Sequence, residues 1–325
     1  MSPGSEAIEF RPFCNSDPPR LIRLWQESRL GRGAAQGIPS DLFDLFVLAA
    51  PYFDPQGLIV ACAGSQVIGL VHAGFGGNAD GTQLAYEDGV ICCVLVHPDY
   101  RRRGIGRQLV ARAEAYLRER GAQRLYAGES APRNPFYFGI YGSSESVGFL
   151  ESDPLAQPFF TALGYQPCER FIVLERDLIQ RKDPFDPRLL TLRRKAQLEV
   201  IDHPPDVGWW WMTRQGRPDS FGFVLTEIAT SNPLGIITCW GMDLHSQTWQ
   251  QRTVGLMDMR IENLDRRKGF GKLLLIEIFR RLREELITHV QIASRDSNEA
   301  AIGLFRSVGF EPIDTGIVYQ RPTDA

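Results

Sequence analysis

The sequence lacks any apolar run long enough to cross a membrane, and it has no excess of positive charge. No stretch approaches the roughly 20 apolar residues that a membrane-spanning helix needs. The formal net charge is −3, which gives no general attraction for nucleic acid. The first residues also lack the charged and apolar regions of a signal peptide. These absences favour a cytoplasmic protein that binds neither membrane nor nucleic acid.

Cysteine and histidine are scarce, with six and five residues, and no pair of cysteines forms a C-x-x-C motif. We therefore expect no disulfide framework and no metal site. The cysteines lie mostly in apolar runs and are predicted to be buried, reduced thiols. Cys92 and Cys93 are adjacent, and on a regular strand they would point to opposite faces.

The length of 325 residues exceeds what one hydrophobic core usually serves. With 43% hydrophobic and 23% charged residues, both halves can bury a core. Two Asp-Pro pairs and several charges between residues 181 and 187 suit a linker. We predict an N-terminal domain at 1–180, a linker at 181–188 and a C-terminal domain at 189–325.

A short Gly-rich segment occurs twice, each time after a β-like apolar run and before an amphipathic helix. The copies are Arg101-Arg102-Arg103-Gly104-Ile105-Gly106 and Arg266-Arg267-Lys268-Gly269-Phe270-Gly271. Glycines let a turn present its backbone N–H groups, and a helix N-terminus carries partial positive charge. Each segment predicts a phosphate-binding turn, although a tight strand-to-helix connection explains a single copy equally well.

A second motif follows each turn with identical internal spacing. The copies are Asp153-x-x-Ala156-x-x-Phe159-Phe160-x-x-x-Gly164-Tyr165 and Asn298-x-x-Ala301-x-x-Leu304-Phe305-x-x-x-Gly309-Phe310. Apolar residues three and four positions apart, followed by glycine, predict a short helix that ends before a strand.

This order of strand, Gly-rich turn, helix, strand, second motif and strand resembles the GNAT superfamily of N-acetyltransferases. Two tandem copies cover nearly the whole chain, in a plan similar to that of the mycothiol synthases, in which one domain acetylates a cysteinyl amine. The resemblance implies an α/β (α+β) fold of two tandem acyl-CoA N-acyltransferase domains, each a mixed, mostly antiparallel sheet flanked by helices. In the second copy we expect a strand at 209–213, over Trp209-Trp210-Trp211, and no early helices.

Members of this family bind acetyl-coenzyme A between two central strands, with its pyrophosphate on the Gly-rich turn. The resemblance therefore implies two sets of coenzyme-binding residues. In the first copy these are Val94, Leu95, Val96, Arg101, Arg102, Arg103, Gly104, Ile105, Gly106, Arg107 and Asn134. In the second copy they are Met259, Arg260, Ile261, Arg266, Arg267, Lys268, Gly269, Phe270, Gly271, Lys272 and Asn298.

The resemblance also implies direct transfer of the acetyl group to a primary amine of a small molecule or peptide in a ternary complex. Many members use a tyrosine as the acid that protonates the leaving thiolate, but this chain has Phe160 and Phe305 at those positions. Gly106 and Asp153 are 47 residues apart, whereas Gly271 and Asn298 are 27 apart. The first copy therefore contains a 20-residue insertion.

Within the insertion, Asn134 and Tyr141 restore the family's seven-residue spacing. Tyr141, and next Tyr137, are our candidates for the acid. An aromatic loop that simply packs over the cleft is the alternative. Glu87 and Asp88, near the start of the central strand, are candidates for the base, and a solvated loop explains them equally well.

The first copy is the expected catalyst, because the second has little sequence from which to build an acceptor pocket. The second copy could bind coenzyme A without turnover or serve as a structural half. A different class of function stays open, namely a sensor or scaffold that binds acetyl-coenzyme A and transfers nothing. A homodimer is also left open.

Overall fold

The computed structural model describes residues 7–204, 207–215 and 219–322, in which thirteen strands form one sheet. The first half contains β1 (Ile8–Pro12), α1 (Pro18–Glu27), α2 (Ser40–Phe43), β2 (Leu58–Ala63), β3 (Gln66–Gly77), β4 (Leu84–Val96), α3 (Ile105–Glu119), β5 (Arg124–Ala127), β6 (Phe149–Leu150), α4 (Ala156–Ala162) and β7 (Gln166–Asp177). The second half contains α5 (Pro187–Arg193), β8 (Ala196–Ile201), α6 (Trp209–Gln215), β9 (Ser220–Glu227), β10 (Pro233–Gly241), α7 (Ser246–Trp249), β11 (Thr253–Ile261), α8 (Phe270–Glu284), β12 (His289–Arg295), α9 (Glu299–Ser307) and β13 (Glu311–Arg321). None of the helices in these ranges combines the length and apolar character needed to cross a bilayer.

The central strands of the two halves pair in the same register. β4 and β5 are parallel from Asp88↔Arg124 to Ile91↔Ala127. β11 and β12 are parallel from Thr253↔His289 to Leu256↔Ile292. Beyond the fourth pair the strands of each half are no longer paired with each other. Each half therefore has an opening between its two central strands, directly before its Gly-rich turn.

The last strands of the two halves lie at the centre of the sheet and are exchanged. The order across the sheet is β1-β2-β3-β4-β5-β13-β7-β12-β11-β10-β9-β8, and β6 pairs with β13. β13, from the second half, therefore completes the sheet of the first half, and β7 completes that of the second. Glu311 pairs with Glu175 at one end of this antiparallel pair and Gln320 with Gln166 at the other, which relates the halves by a local two-fold axis. The domain boundary at 181–188 stays a prediction.

Amphipathic helices bury their apolar faces against each half of the sheet. The face of α3 that the sequence predicted is buried, namely Ile105, Leu109, Ala113, Tyr116 and Leu117. The corresponding face of α8 is buried as well, including Phe270, Leu273, Leu274, Ile278 and Leu282. Because both helices begin at the Gly-rich turns, this packing fixes the position of each turn relative to the central strands.

The strand predicted at 209–213 is wrong, because these residues belong to helix α6. Trp210 and Arg214 are buried at i and i+4, a spacing that places both on one helical face, while Trp209 is 40% exposed. Trp210 packs against Gly77 and the ring of Tyr52. The three consecutive tryptophans carry no periodicity, so the sequence could not distinguish strand from helix here.

The 20-residue insertion covers the second half as well as the first. Phe138 packs with Trp240, Met242 and Met257, which belong to the second half. The indole Nε1 of Trp240 donates a hydrogen bond to the Ser144 carbonyl at 3.0 Å. In the described part of the connection between β8 and β9 the second half has only α6, where the first half has α1 and α2. The insertion therefore covers a sheet face that those two helices would otherwise bury.

The six cysteines are free, but the prediction that all are buried is only partly right. Cys14 and Cys168 are exposed. The expectation for Cys92 and Cys93 is also wrong: a bulge in β4 between Ile91 and Cys93 interrupts the alternation, and both side chains enter the same core cluster. Burial raises the pKa of Cys93 to about 12, so this thiol is not a nucleophile near neutral pH.

Candidate active site

The two Gly-rich turns have the same backbone conformation. Arg102 and Arg267 have φ of 63° and 62°, and Gly104 and Gly269 have φ of 79° and 97°. A left-handed residue followed two positions later by a left-handed glycine turns the backbone sharply, and α3 or α8 begins at the next residue. In both copies the helix therefore begins with backbone N–H groups that have no intrahelical acceptor, an arrangement that can bind an anion.

The first turn opens into a cleft with a volume of about 410 Å³, within the usual range for a small-molecule site. Its wall is formed by β4, the turn, the start of α4 and the end of α1. Of the predicted coenzyme residues of the first copy, the cleft is lined by Val94, Leu95, Val96, Arg101, Arg102, Gly104, Ile105, Gly106 and Arg107. Gly106 is needed because a Cβ atom there would lie 2.9 Å from the ring of Phe159.

Two predicted residues of the first copy lie outside this cleft. Arg103 donates to the carbonyl of Asp99 at 2.9 Å, with its guanidinium over the ring of Tyr100. Asn134 is buried in the insertion, where its carbonyl accepts a hydrogen bond from Arg214 at 3.4 Å. The coenzyme role predicted for Asn134 does not fit this position. Of the two residues with the seven-residue spacing, only Tyr141 therefore lies near the cleft.

Both tyrosines of the insertion reach the inner end of the cleft. A smaller cavity of about 30 Å³ continues from it, and Tyr137, Tyr141, Cys92, Cys93 and Trp25 are among the lining residues. The hydroxyl of Tyr141 accepts a hydrogen bond from the Leu150 N–H at 3.3 Å. The hydroxyl of Tyr137 is 3.2 Å from Nδ1 of His72. Burial raises the pKa of both tyrosines, so both are uncharged proton donors near neutral pH.

Asp153 lies where the main cleft meets this smaller cavity and lines both. Its carboxylate accepts a hydrogen bond from the Leu155 N–H at 3.2 Å. Burial nevertheless raises its pKa above the ordinary value, against the opposing effects of that hydrogen bond and of Arg101. The sequence placed Asp153 only at the start of the second motif and gave no sign that it faces the cleft.

Glu87 and Asp88 do not reach the cleft. Asp88 is the first residue of the paired part of β4 and forms an ion pair with Arg124 across the strands. Glu87 is exposed, and its backbone carbonyl accepts a hydrogen bond from Gln123. They lie at the far end of β4 from the turn, so we no longer consider either residue a candidate for the base.

The second turn is held by segments of the chain itself. Lys272 forms an ion pair with Asp186 at 3.2 Å, and Lys268 one with Asp265 at 3.0 Å. Leu192 of α5 lies close to Gly269. Asn298 caps α9, with its side-chain oxygen accepting from the Ala301 N–H at 3.2 Å.

The inner end of the second opening contacts the insertion of the first half. Glu145 lies beside Asp258, a residue of β11 with φ of 54°. Burial and the Asp258 carboxylate raise the pKa of Glu145 to about 8, while a hydrogen bond from the Asp258 backbone N–H opposes this rise. Among the predicted residues of the second copy, Met259 and Ile261 are half-buried and pack against the core, while Arg260 is exposed.

The sequence missed Glu129, a carboxyl group that is 7% exposed and lies directly after β5. An acid at this place follows the apolar run Leu125-Tyr126-Ala127 and a glycine. A charged residue at the end of a buried strand is the sequence feature that could have indicated it. In the described ranges no group of three or more His, Cys, Asp or Glu side chains could hold a metal ion.

The mixed sheet, the two Gly-rich turns and the cleft beside the first turn agree with the acetyltransferase (GNAT) family. The model of the acetyltransferase (GNAT) family matches residues 22–140 and 187–310, once in each half. The chain belongs to this family, as a tandem of two GNAT units.

Two comparisons extend over the whole chain. A mycothiol acetyltransferase of Salinispora arenicola is 25% identical over 314 residues, which cover 94% of both chains. A tandem GNAT protein from the clavulanic acid biosynthesis pathway, solved without acetyl-CoA, superposes with a TM-score of 0.67 at 21% identity and covers 98% of this chain and 100% of its own.

A GCN5-related glucosamine N-acetyltransferase region of a fungal multi-domain β-N-acetylglucosaminidase gives a TM-score of 0.71 at 16% identity, over 98% of this chain and 38% of that one. The two structural likenesses concern the fold alone.

Proposed function

We propose that the first half transfers an acetyl group from acetyl-coenzyme A to a primary amine of a small molecule or peptide. The observation that carries this proposal is the continuity of the cleft. It runs from the Arg-rich turn along β4 to a buried end that contains two tyrosines and a carboxyl group. A long, thin cosubstrate with an anionic end and a reactive end fits this arrangement.

The coenzyme would bind mainly to the backbone. Its pyrophosphate fits the N–H groups at the start of α3, next to Arg102 and Arg107. Beyond Ile91 the edge of β4 that faces β5 has no strand partner, so Val94 to Val96 are placed to pair with the amide groups of the pantetheine arm. A backbone N–H fixed near the acyl oxygen would stabilise the charge that develops there, an effect commonly worth about 3 kcal/mol.

Tyr141 would protonate the departing sulfur. Because its oxygen already accepts the Leu150 N–H, its own hydrogen is free to point into the cavity. In this mechanism the amine attacks the thioester carbon, the C–N bond forms, the C–S bond breaks, and the thiolate takes the proton of Tyr141. Tyr141 then regains a proton from the nitrogen of the product.

The acceptor is a small amine in this proposal, because the inner cavity is narrow. The likeness to the mycothiol acetyltransferase over nearly the full length of both chains supports a cysteinyl amine as a second candidate. The cytoplasm is the proposed location. One coenzyme per chain is the proposed stoichiometry, because at the two ends of the second opening Lys272 is already paired with Asp186 and Asp258 already contacts Glu145.

The test combines binding and turnover. Acetyl-coenzyme A is titrated into the intact chain by calorimetry. Formation of the N-acetyl product above the rate without protein is then followed with a panel of amines that includes benzylamine, a cysteine ester and hydroxylamine. We expect one binding site and transfer to at least one amine. Tight binding with no transfer would instead support the sensor or scaffold, and no binding would overturn the proposal.

Tyr141→Phe sharpens the test, with Tyr86→Phe as the matched control. Tyr86 lies on the central strand β4 but is 50% exposed and lines none of the cavities of the cleft. Loss of a positioned proton donor should lower kcat by roughly 100-fold or more, with coenzyme affinity unchanged. Unchanged turnover in Tyr141→Phe would remove the role of Tyr141.

A further inference from the structure

Glu129 lies at the point where the two central strands of the first half stop pairing. Ile91↔Ala127 is the last pair of β4 and β5, and the N–H of Gly128 donates to the Ile91 carbonyl at 2.9 Å. Gly128 has φ of 94° and changes the direction of the chain. The next residue, Glu129, therefore starts the insertion beside the opening in which the acyl group would lie.

The carboxylate is fixed by two backbone donors of the insertion. The Phe136 N–H donates to Oε1 at 2.8 Å and the Tyr137 N–H donates to Oε2 at 3.1 Å. These bonds give the group one orientation. Each oxygen retains a further lone pair, so the carboxylate can still accept a proton or a hydrogen bond.

A small cavity lies next to Glu129 and shares two lining residues with the inner end of the cleft. The cavity has a volume of about 10 Å³ and is lined by Glu129, Cys92, Tyr141, Ser146, Val147 and Gly148. This volume is close to what one water molecule needs, and the site offers polar partners for it. Cys92 and Tyr141 also line the cavity of about 30 Å³ that opens into the main cleft.

The groups that face Glu129 come from several elements. Burial raises the pKa of Glu129 to about 7, while the Phe136 and Tyr137 amides, the Cys92 thiol and the positive charge of Arg214 oppose this rise. Arg214 belongs to α6 of the second half and is itself buried. A carboxyl group with a pKa near the working pH can both take and release a proton.

The second half has no equivalent acid. Because β4/β5 and β11/β12 pair in the same register, the position that corresponds to Glu129 is Ser294. A hydroxyl group of this kind does not accept a proton near neutral pH. The buried carboxyl group is therefore a feature of the half whose cleft is open.

We propose that Glu129 is the base of the reaction and that it accepts a proton from the incoming ammonium through one water molecule in this cavity. The assignment rests on the proposed acetyl transfer. The acceptor R–NH₃⁺ gives one proton to the carboxylate and becomes R–NH₂, which attacks the thioester. Tyr141 gives its proton to the leaving sulfur and takes the second proton from the nitrogen of the product. Glu129 then releases its proton to solvent. Arg214 is a positioning residue that acts on Glu129 through its charge.

The main experiment compares Glu129→Gln with Glu151→Gln, which removes an exposed carboxyl group that pairs with Arg170 and lines none of the three cavities. With the fastest alkylamine of the panel, Glu129→Gln should lower kcat about 100-fold or more, with the Kd for acetyl-coenzyme A within twofold of wild type. For wild type, kcat/KM should decrease as the pH is lowered below about 7. This decrease, the acid limb of the pH profile, should be absent in Glu129→Gln. Glu151→Gln should keep both turnover and the limb.

Hydroxylamine separates a base from a structural role. This amine is largely uncharged at pH 7.5 and needs no deprotonation before attack, so Glu129→Gln should retain most of the wild-type rate with it. An equal loss with hydroxylamine and the alkylamine would overturn the assignment, as would an unchanged acid limb. If Glu129→Gln does not fold, Arg214→Met tests the assignment instead. Removal of the Arg214 charge should raise the pKa of Glu129 and move the acid limb of kcat/KM to higher pH. An acid limb that stays in place would contradict the proposal.

The two proposals fail in different ways. A wild-type chain that binds acetyl-coenzyme A and transfers to no amine contradicts the proposed function. A wild-type chain that transfers normally, with Glu129→Gln equally active at all pH values, contradicts only the role of Glu129.

Discussion

The two halves of the molecule have the same backbone conformation around their clefts but differ in the segments that contact each cleft. The turns match within a few degrees at Arg102 and Arg267, and the central strands pair in the same register. The first turn opens into a cleft of about 410 Å³, whereas beside the second turn Asp186 pairs with Lys272, and Glu145 lies beside Asp258 at the inner end. A motif that occurs in both halves thus specifies the local conformation of a site, and we expect the neighbouring segments to decide whether a ligand can enter.

Charge reversal at the two turns should give the largest difference between the clefts. Arg102→Glu/Arg107→Glu places two carboxylates at the phosphate end of the open cleft and should weaken acetyl-coenzyme A binding by more than about 100-fold. Arg267→Glu/Lys272→Glu makes the same change in the second turn and should alter the Kd less than twofold. Calorimetry on both variants checks this, and two equal sites in the wild-type chain would contradict it.

The acid of the first cleft should also be visible in the pH dependence of stability. The pKa of Glu129 is about 7 in the folded chain and near its ordinary value of 4.5 when unfolded. Below pH 4.5 the group is protonated in both states, and as the pH rises towards 7 only the unfolded state releases the proton. Wild type should therefore lose about 3 kcal/mol of unfolding free energy over this range relative to Glu129→Gln.

Denaturant unfolding at several pH values between 4.5 and 8 measures this difference. Ser294→Ala, at the equivalent position of the second half, is the control and should run parallel to wild type. A gap between wild type and Glu129→Gln that does not change with pH would show that the folded carboxyl group has an ordinary pKa.

The shared backbone of the two turns predicts nearly equal costs for one substitution. Gly104→Ala and Gly269→Ala each put a Cβ atom on a left-handed residue, which should cost about 1 kcal/mol of unfolding free energy. The cost should be somewhat greater at Gly269, where the new atom would lie 3.1 Å from Leu192. Urea unfolding measures both, and a negligible cost at either glycine would mean that its turn is not in this conformation.

The smallest effect on coenzyme binding should come from removing the side chains that contact the two ends of the second cleft. Glu145→Gly combined with Asp186→Asn removes the groups at its two ends and should expose a second coenzyme site with a Kd of about 1 mM. Calorimetry at high coenzyme concentration should detect it, and Arg267→Glu should abolish it. If no second site emerges, the two segments are not what closes this cleft.

The sequence predicted the motifs that occur in both halves, and it missed the contacts that one half of the molecule makes with the other. The Gly-rich turns, the second motifs and the buried faces of α3 and α8 follow from local spacing, and all are present. Glu87 and Asp88 are not candidates for the base because they lie near the start of the 13-residue strand β4, far from the turn that follows its other end. The charged or polar neighbours that the sequence could not show are distant in the chain: Arg214 acts on Glu129, Arg101 on Asp153 and Asp258 on Glu145. No local pattern encodes such contacts.

The exchange of β7 and β13 has a consequence for the order in which the protein can be made. β5 lacks one of its neighbouring strands until β13 has been translated. β13 follows all the other helices and strands of the second half. A nascent first half therefore leaves the ribosome with an unpaired sheet edge and cannot finish folding as an independent unit, contrary to the usual order for tandem domains. β5, which borders the opening of the first half, gains its second neighbour only from that late strand, so we expect the chain to become competent to bind only once synthesis is nearly complete.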